Sequence, residues 1–167
     1  MYENNSSNVE RRQVLLNEME SLAKSGINCS SCSGTCCTSF ANSMQITQIE
    51  ALDILHFLKS EGRFNEELKN NLIKCIDEYR LDYEISTTRG IPIRRTYTCP
   101  FFEPGPKGCS IDLRSKPYGC LAFNPNEKNS KGGAACSSNK EILKQIPTGN
   151  LNKKNIPMAL LDIWDLI

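Results

Sequence analysis

Cys29-Ser30-Ser31-Cys32-Ser33-Gly34-Thr35-Cys36-Cys37 places four thiols within nine residues, spaced C-x2-C-x3-C-C. Small polar residues fill the gaps, and such residues let a backbone curl until several sulfurs converge. Converging thiolates are stable only when something neutralises them, which a metal ion or iron–sulfur cluster does well. Three other readings compete. Cysteine packs well as a small hydrophobe, but Ser30, Ser31, Ser33, Gly34 and Thr35 offer no apolar face beside it. Adjacent cysteines bridge each other only with strain, so disulfides at Cys36 and Cys37 would need other partners. A radical-SAM cluster site needs C-x3-C-x2-C, which this run does not supply. Metal binding through Cys29, Cys32, Cys36 and Cys37 is the reading that fits.

On a helix Cys29, Cys32 and Cys36 would share one face. Gly34 and the serines argue against a regular helix, so turns with at most a frayed helical start are expected. Cys36 and Cys37 would point to opposite sides of an extended chain, or about 100° apart on a helix. Both reach one centre only through a bend; otherwise they serve two centres, or one of them belongs to the core.

The chain has 167 residues, enough for one domain that buries roughly 70% of its unfolded surface. Its net charge of +1 does not point to nucleic acid. Nine cysteines are many, yet fewer than in small disulfide scaffolds. The first eight residues contain no apolar run of the kind that opens a signal peptide, and no segment reads as a membrane span. A reducing, cytoplasmic setting is the expectation, and it favours metal over disulfides.

Residues 1–6 read as a disordered polar tail and 7–167 as one cysteine-cluster domain. Ser7 with Glu10 fits a capping box, and Leu15, Leu16, Met19, Leu22 and Ala23 then recur at helical spacing until Gly26. Thr47 with Glu50 opens a second helix that runs to about Gly62. Asn65 caps a third, with a stripe of Leu68, Leu72, Ile76, Tyr79 and Tyr83. Cys75 lies beside that stripe and reads as core packing. His56, the single histidine, has no ligand-like neighbour on the second helix. Residues 91–98 read as a short strand that Pro92 confines to an edge. Arg94 and Arg95 either soften a thiolate site or are simply solvated. Residues 99–136 are loop-rich, with five prolines and five glycines, and carry Cys99, Cys109, Cys120 and Cys136. Such a region needs a staple, and metal is the natural one. Ser138 with Glu141 caps a short helix that ends before Pro147. Asn155 and Pro157 open a last helix, Met158 to Ile167, that serves as core or as a partner surface. The fold class is therefore mainly α with a loop-rich, cysteine-stapled half. The alternative is a small α+β fold with an edge hairpin near 91–98.

The first cluster, then Cys99-Pro100-Phe101-Phe102, Gly108-Cys109-Ser110-Ile111 and Lys116-Pro117-Tyr118-Gly119-Cys120-Leu121-Ala122-Phe123, resembles the YkgJ-like (CxxCxxCC) cysteine-cluster family. Its members are described as zinc- or iron-chelating domains. The resemblance spans about residues 29–123. It departs at Lys116 and Leu121, where the family tends to carry arginine, and in a longer gap between Cys109 and Cys120. A similar cysteine pattern occurs in a flagellin lysine methylase, so the resemblance implies a scaffold that supports catalysis without identifying catalytic residues.

Sulfur ligands exclude magnesium and calcium and favour zinc or an iron–sulfur centre. Eight candidate thiolates suit two four-thiolate sites, one cluster with spare thiols, or a multi-iron assembly. The vicinal pair and the lack of two C-x2-C knuckles favour iron–sulfur. Three functions follow as expectations: a metal-binding protein, a metal-dependent enzyme of peptide or protein modification, and a zinc-stapled interaction module using the C-terminal helix. The partner expected is the metal ion or cluster, with a peptide or protein in the second and third readings and neither nucleic acid nor membrane. Against the enzyme, the sequence has no nucleotide loop, no Ser–His–Asp set and no histidine-supported base.

Overall fold

The computed structural model describes residues 7–29, 33–104, 108–129, 135–146 and 152–167. The expected tail at 1–6 and the ligand candidate Cys32 lie outside them.

The helix-start signals act as their chemistry dictates. α1 spans Asn8–Lys24, and Ser7 and Glu10 close both halves of the capping box. α2 spans Gln48–Ser60 behind the Thr47–Glu50 box. α3 spans Glu66–Tyr79, with the Asn65 side chain accepting from the Leu68 N–H. α1 gives way to Gly26 at φ 79° and α2 to Gly62 at φ 67°, the left-handed conformation that glycine adopts without Cβ strain. α3 ends instead on Arg80 at φ 51°, so Tyr83 leaves the expected stripe and is 61% exposed. Cys75 is buried, and its Sγ–H donates to the Thr98 carbonyl at 3.6 Å.

Among the described residues only short strand pairs accompany the helices. β1 (Gln45–Ile46) pairs antiparallel with β6 (Lys154–Asn155), with Gln45 opposite Asn155. The expected strand at 91–98 shrinks to β3 (Pro92–Ile93), which forms a hairpin with β2 (Ile85–Ser86). β4 (Phe123–Pro125) pairs with β5 (Cys136–Ser138). A four-residue helix, α4 (Tyr118–Leu121), interrupts the region expected to be loop. α5 covers Lys140–Lys144, and its cap is Asn139, not Ser138, because Ser138 is engaged in β5. α6 runs from Ile156 to Asp162 and passes into a 3-10 turn at Trp164–Leu166. The architecture is mainly α with small antiparallel pairs.

Two cores result. The larger joins α2, α3 and α6 through Ile54, Leu55, Leu58, Leu72 and Leu160, with Tyr97 and Trp164 among them; Cys99 and Cys109 pack against it. Trp164 stacks on Phe64 with ring centroids 4.3 Å apart. The C-terminal helix therefore packs as core through Ile156, Ala159, Leu160, Ile163 and Trp164, and leaves Leu166 exposed. The smaller core joins Leu15 of α1 to Tyr118, Leu121 and Ala122 around α4, and to Ile146.

A buried polar clamp joins α1 to α2 and to the chain entering α4. Arg12 is fully buried; it donates to Asp53 at 2.7 Å, to the Lys116 carbonyl at 2.7 Å and to the Asn8 carbonyl at 3.0 Å. Arg11 donates to the other Asp53 oxygen at 2.6 Å and to the Tyr118 hydroxyl at 3.2 Å. The Arg12 guanidinium also lies over the Tyr118 ring, 4.8 Å from its centroid. Removing one partner of such a pair leaves a buried charge uncompensated. Asp53→Ala is expected to cost about 3 kcal/mol in urea unfolding, whereas Lys144→Ala, which breaks only an exposed pair with Glu141, should leave the midpoint unchanged.

Burial, then the nearby Glu78 carboxylate, pushes the Cys75 thiol up from 9.0 to about 12. The fold thus favours the neutral thiol, whose contribution is fully present below about pH 9 and is lost as pH rises towards 12. The stability advantage of the wild type over Cys75→Ala should shrink across that window in denaturation curves taken at successive pH values. An advantage constant to pH 12 would contradict it.

Candidate functional site

The site begins with a left-handed glycine. Gly34, at φ 78°, turns the chain into the 3-10 turn Thr35–Cys37, which the Cys37 N–H closes by donating to the Gly34 carbonyl at 2.9 Å. This is the bend that lets two adjacent cysteines serve one region. Beyond it, residues 37–44 run beside 97–99. The Cys99 N–H donates to the Cys37 carbonyl at 2.8 Å, and the Tyr97 N–H to the Asn42 carbonyl at 2.9 Å. The Asn42 side chain returns a bond to the Tyr97 carbonyl at 3.0 Å. The Ser39 N–H donates to the Thr98 hydroxyl at 3.1 Å. The buried Tyr97 hydroxyl donates to the Met44 carbonyl at 2.7 Å and accepts from the Ile156 N–H at 3.0 Å. Backbone bonds thus hold Cys37 and Cys99 side by side.

Cys109 and Cys120 are brought in by other devices. Arg63 donates to the Ser110 carbonyl at 2.8 Å and to its hydroxyl at 2.7 Å, holding the loop that carries Cys109. The Ile111 N–H points at the Cys109 sulfur, 3.5 Å away. Glu50, the capping residue of α2, is buried and accepts from the Thr47 N–H, the Thr47 hydroxyl and the Tyr118 N–H, each at 2.8 Å. One carboxylate therefore starts α2 and also anchors α4, the helix of Cys120.

These devices assemble a cavity of about 160 Å3 lined by Cys29, Cys36, Cys37, Cys99, Cys109 and Cys120. Its remaining walls are mainly apolar, with Met19, Met44, Phe101 and Phe123 among them, and Lys116 stands at its edge. The thiols are coupled to one another. Cys36 is pushed up first by its hydrogen bond with Cys37, then by burial, against the pull of Lys116. Burial pushes Cys99 up, and the charges of Cys120, Cys109 and Cys75 add to it. Burial also raises Cys120 to about 12, with Cys109, Cys36 and Glu50 adding and Lys116 opposing. Burial and neighbouring groups thus favour the neutral form of Cys36, Cys99 and Cys120. Among the described residues no group of three or more His, Cys, Asp or Glu side chains stands as a ready metal-holding set. The six thiols share a cavity without converging on one point.

Of the eight cysteines picked out from the sequence, six line this cavity. Cys136 does not; it lies on β5, opposite Pro125. Cys32 lies outside the described residues. Cys75 is in the core, and His56 lies in a separate hollow beside Asp53 and Arg11. Lys116, Met19 and Met44 were not picked out as site residues, because nothing in their local spacing marks them; the fold alone brings them to the cavity.

The two cysteine regions touch at their glycines. A Cβ on Gly34 would lie 2.6 Å from the Phe102 ring and 3.5 Å from the Gly108 Cα. Gly34→Ala should therefore cost both left-handed strain, about 1–2 kcal/mol, and the close approach of the loops. Gly62→Ala, at a similar φ with nothing within 4 Å, carries the strain alone. Thermal unfolding should show the larger loss for Gly34→Ala; equal losses would mean that the loops do not depend on this contact.

Comparison with known proteins adds no relative: no family model, no curated protein and no solved structure matches this chain.

Proposed function

We propose that this chain is a cytoplasmic metal-binding protein that holds an iron–sulfur cluster or zinc through its clustered cysteines. The observation that carries the reading is that thiols from three separate stretches (29–37, 99–109 and α4) line one small, largely apolar cavity. A bound cation would stabilise the thiolates that burial otherwise disfavours, and its binding energy would become folding energy for the loops that supply them. The donor chemistry fits the group: the cavity offers six thiols, with the thioethers of Met19 and Met44 in its walls and neither carboxylate nor imidazole among its lining residues. Cys36, Cys37, Cys99, Cys109 and Cys120 would hold the group, with Cys29, which lines the same cavity. A zinc site would be a structural staple; an iron–sulfur cluster would also supply one-electron chemistry. The vicinal Cys36–Cys37 pair favours the cluster, and the resemblance to the YkgJ-like family supports either. The setting in which so many thiols stay reduced is the cytoplasm. No described helix is long and apolar enough to cross a membrane.

Anaerobic purification followed by metal analysis and a visible absorption spectrum tests the reading. Wild-type protein should carry iron with broad visible absorption, or zinc without it. Cys36→Ser and Cys120→Ser should lose metal and stability together, and Cys75→Ala should keep full metal content. Wild-type stoichiometry in both cavity variants, or no metal in the wild type, would overturn the proposal.

A further inference from the structure

A second hollow, of about 380 Å3, adjoins the thiol cavity and shares Cys36, Asn42, Met44 and Phe123 with it. Its other walls carry Arg94, Lys140 and Lys153. The three cations come from distant points of the chain: the residue after β3, the start of α5 and the approach to β6. Only the fold puts them around one hollow. None of the three makes an ion pair or side-chain hydrogen bond with a described residue, unlike their neighbours Lys144 and Lys154, which pair with Glu141 and Asp162. The one carboxylate lining the hollow, Glu50, is buried and already accepts three hydrogen bonds, so it does not neutralise them. Ser138 and Gln45 add neutral polar groups.

We infer that this hollow binds a small organic or inorganic polyanion, carrying two or more carboxylate or phosphate groups, against the Cys36 edge of the thiol cavity. Three unpaired cations spread over one small concavity match several anionic groups on one ligand better than a single one. The volume suits a small molecule. The inference goes beyond metal binding and stands without it, since none of the three cations belongs to the thiol set.

Isothermal titration of the purified full chain with citrate and, separately, with inorganic pyrophosphate tests it and tells the carboxylate source from the phosphate source. At least one probe should bind, and its affinity should fall as salt rises. The triple variant R94Q/K140Q/K153Q should bind it at least about tenfold more weakly with an unchanged unfolding midpoint. K74Q/R89Q/K128Q, which removes the same charge elsewhere, should bind like the wild type. Cys120→Ser, which reports on the metal site, should also retain anion binding if it stays folded. No binding of either probe, unchanged binding by the first triple variant, or equal weakening by the second would overturn the inference.

Discussion

The Cys99 N–H bond to the Cys37 carbonyl, with the Asn42–Tyr97 bonds that continue it, is the constraint on which the thiol cavity depends. It ties two segments that lie 55 residues or more apart in the chain. A buried backbone pair of this kind is costly to leave unmade, because both groups lose water. Tyr97 extends the tie into the main core: its hydroxyl bonds both to Met44 ahead of β1 and to Ile156 at the start of α6. The cysteine segments are thus hung from the helical core by ordinary hydrogen bonds.

That anchoring has an electrostatic consequence. The same burial that orders the thiols raises their resistance to ionisation, and each raises its neighbours further. Lys116 is a cation that relieves both Cys36 and Cys120. An ammonium there acts as a point charge without arginine's planar fork, and its carbonyl is meanwhile held by Arg12.

The helices were legible because their signals are local. Ser7–Glu10, Thr47–Glu50 and Asn65 satisfy orphan N–H groups within one turn, and nothing distant has to agree. The core position of Cys75 followed from its place beside the α3 stripe. What was not legible depends on contacts between distant segments. α4 is too short to show a period and stands because Glu50 receives the Tyr118 N–H. β4 and β5 exist through each other. At the site, cysteine spacing singled out six residues that do share a cavity, but gave no means of telling Cys136 from the rest. The cation triad of Arg94, Lys140 and Lys153 has no sequence signature, because its members meet only in space.

Met19 belongs to α1, and it is also a wall of the thiol cavity. α1 rests on the smaller core and on two arginines that share a single carboxylate, Asp53. The Met19 wall of the cavity is therefore held through α1 by Asp53 and the Lys116 carbonyl, which both grip Arg12.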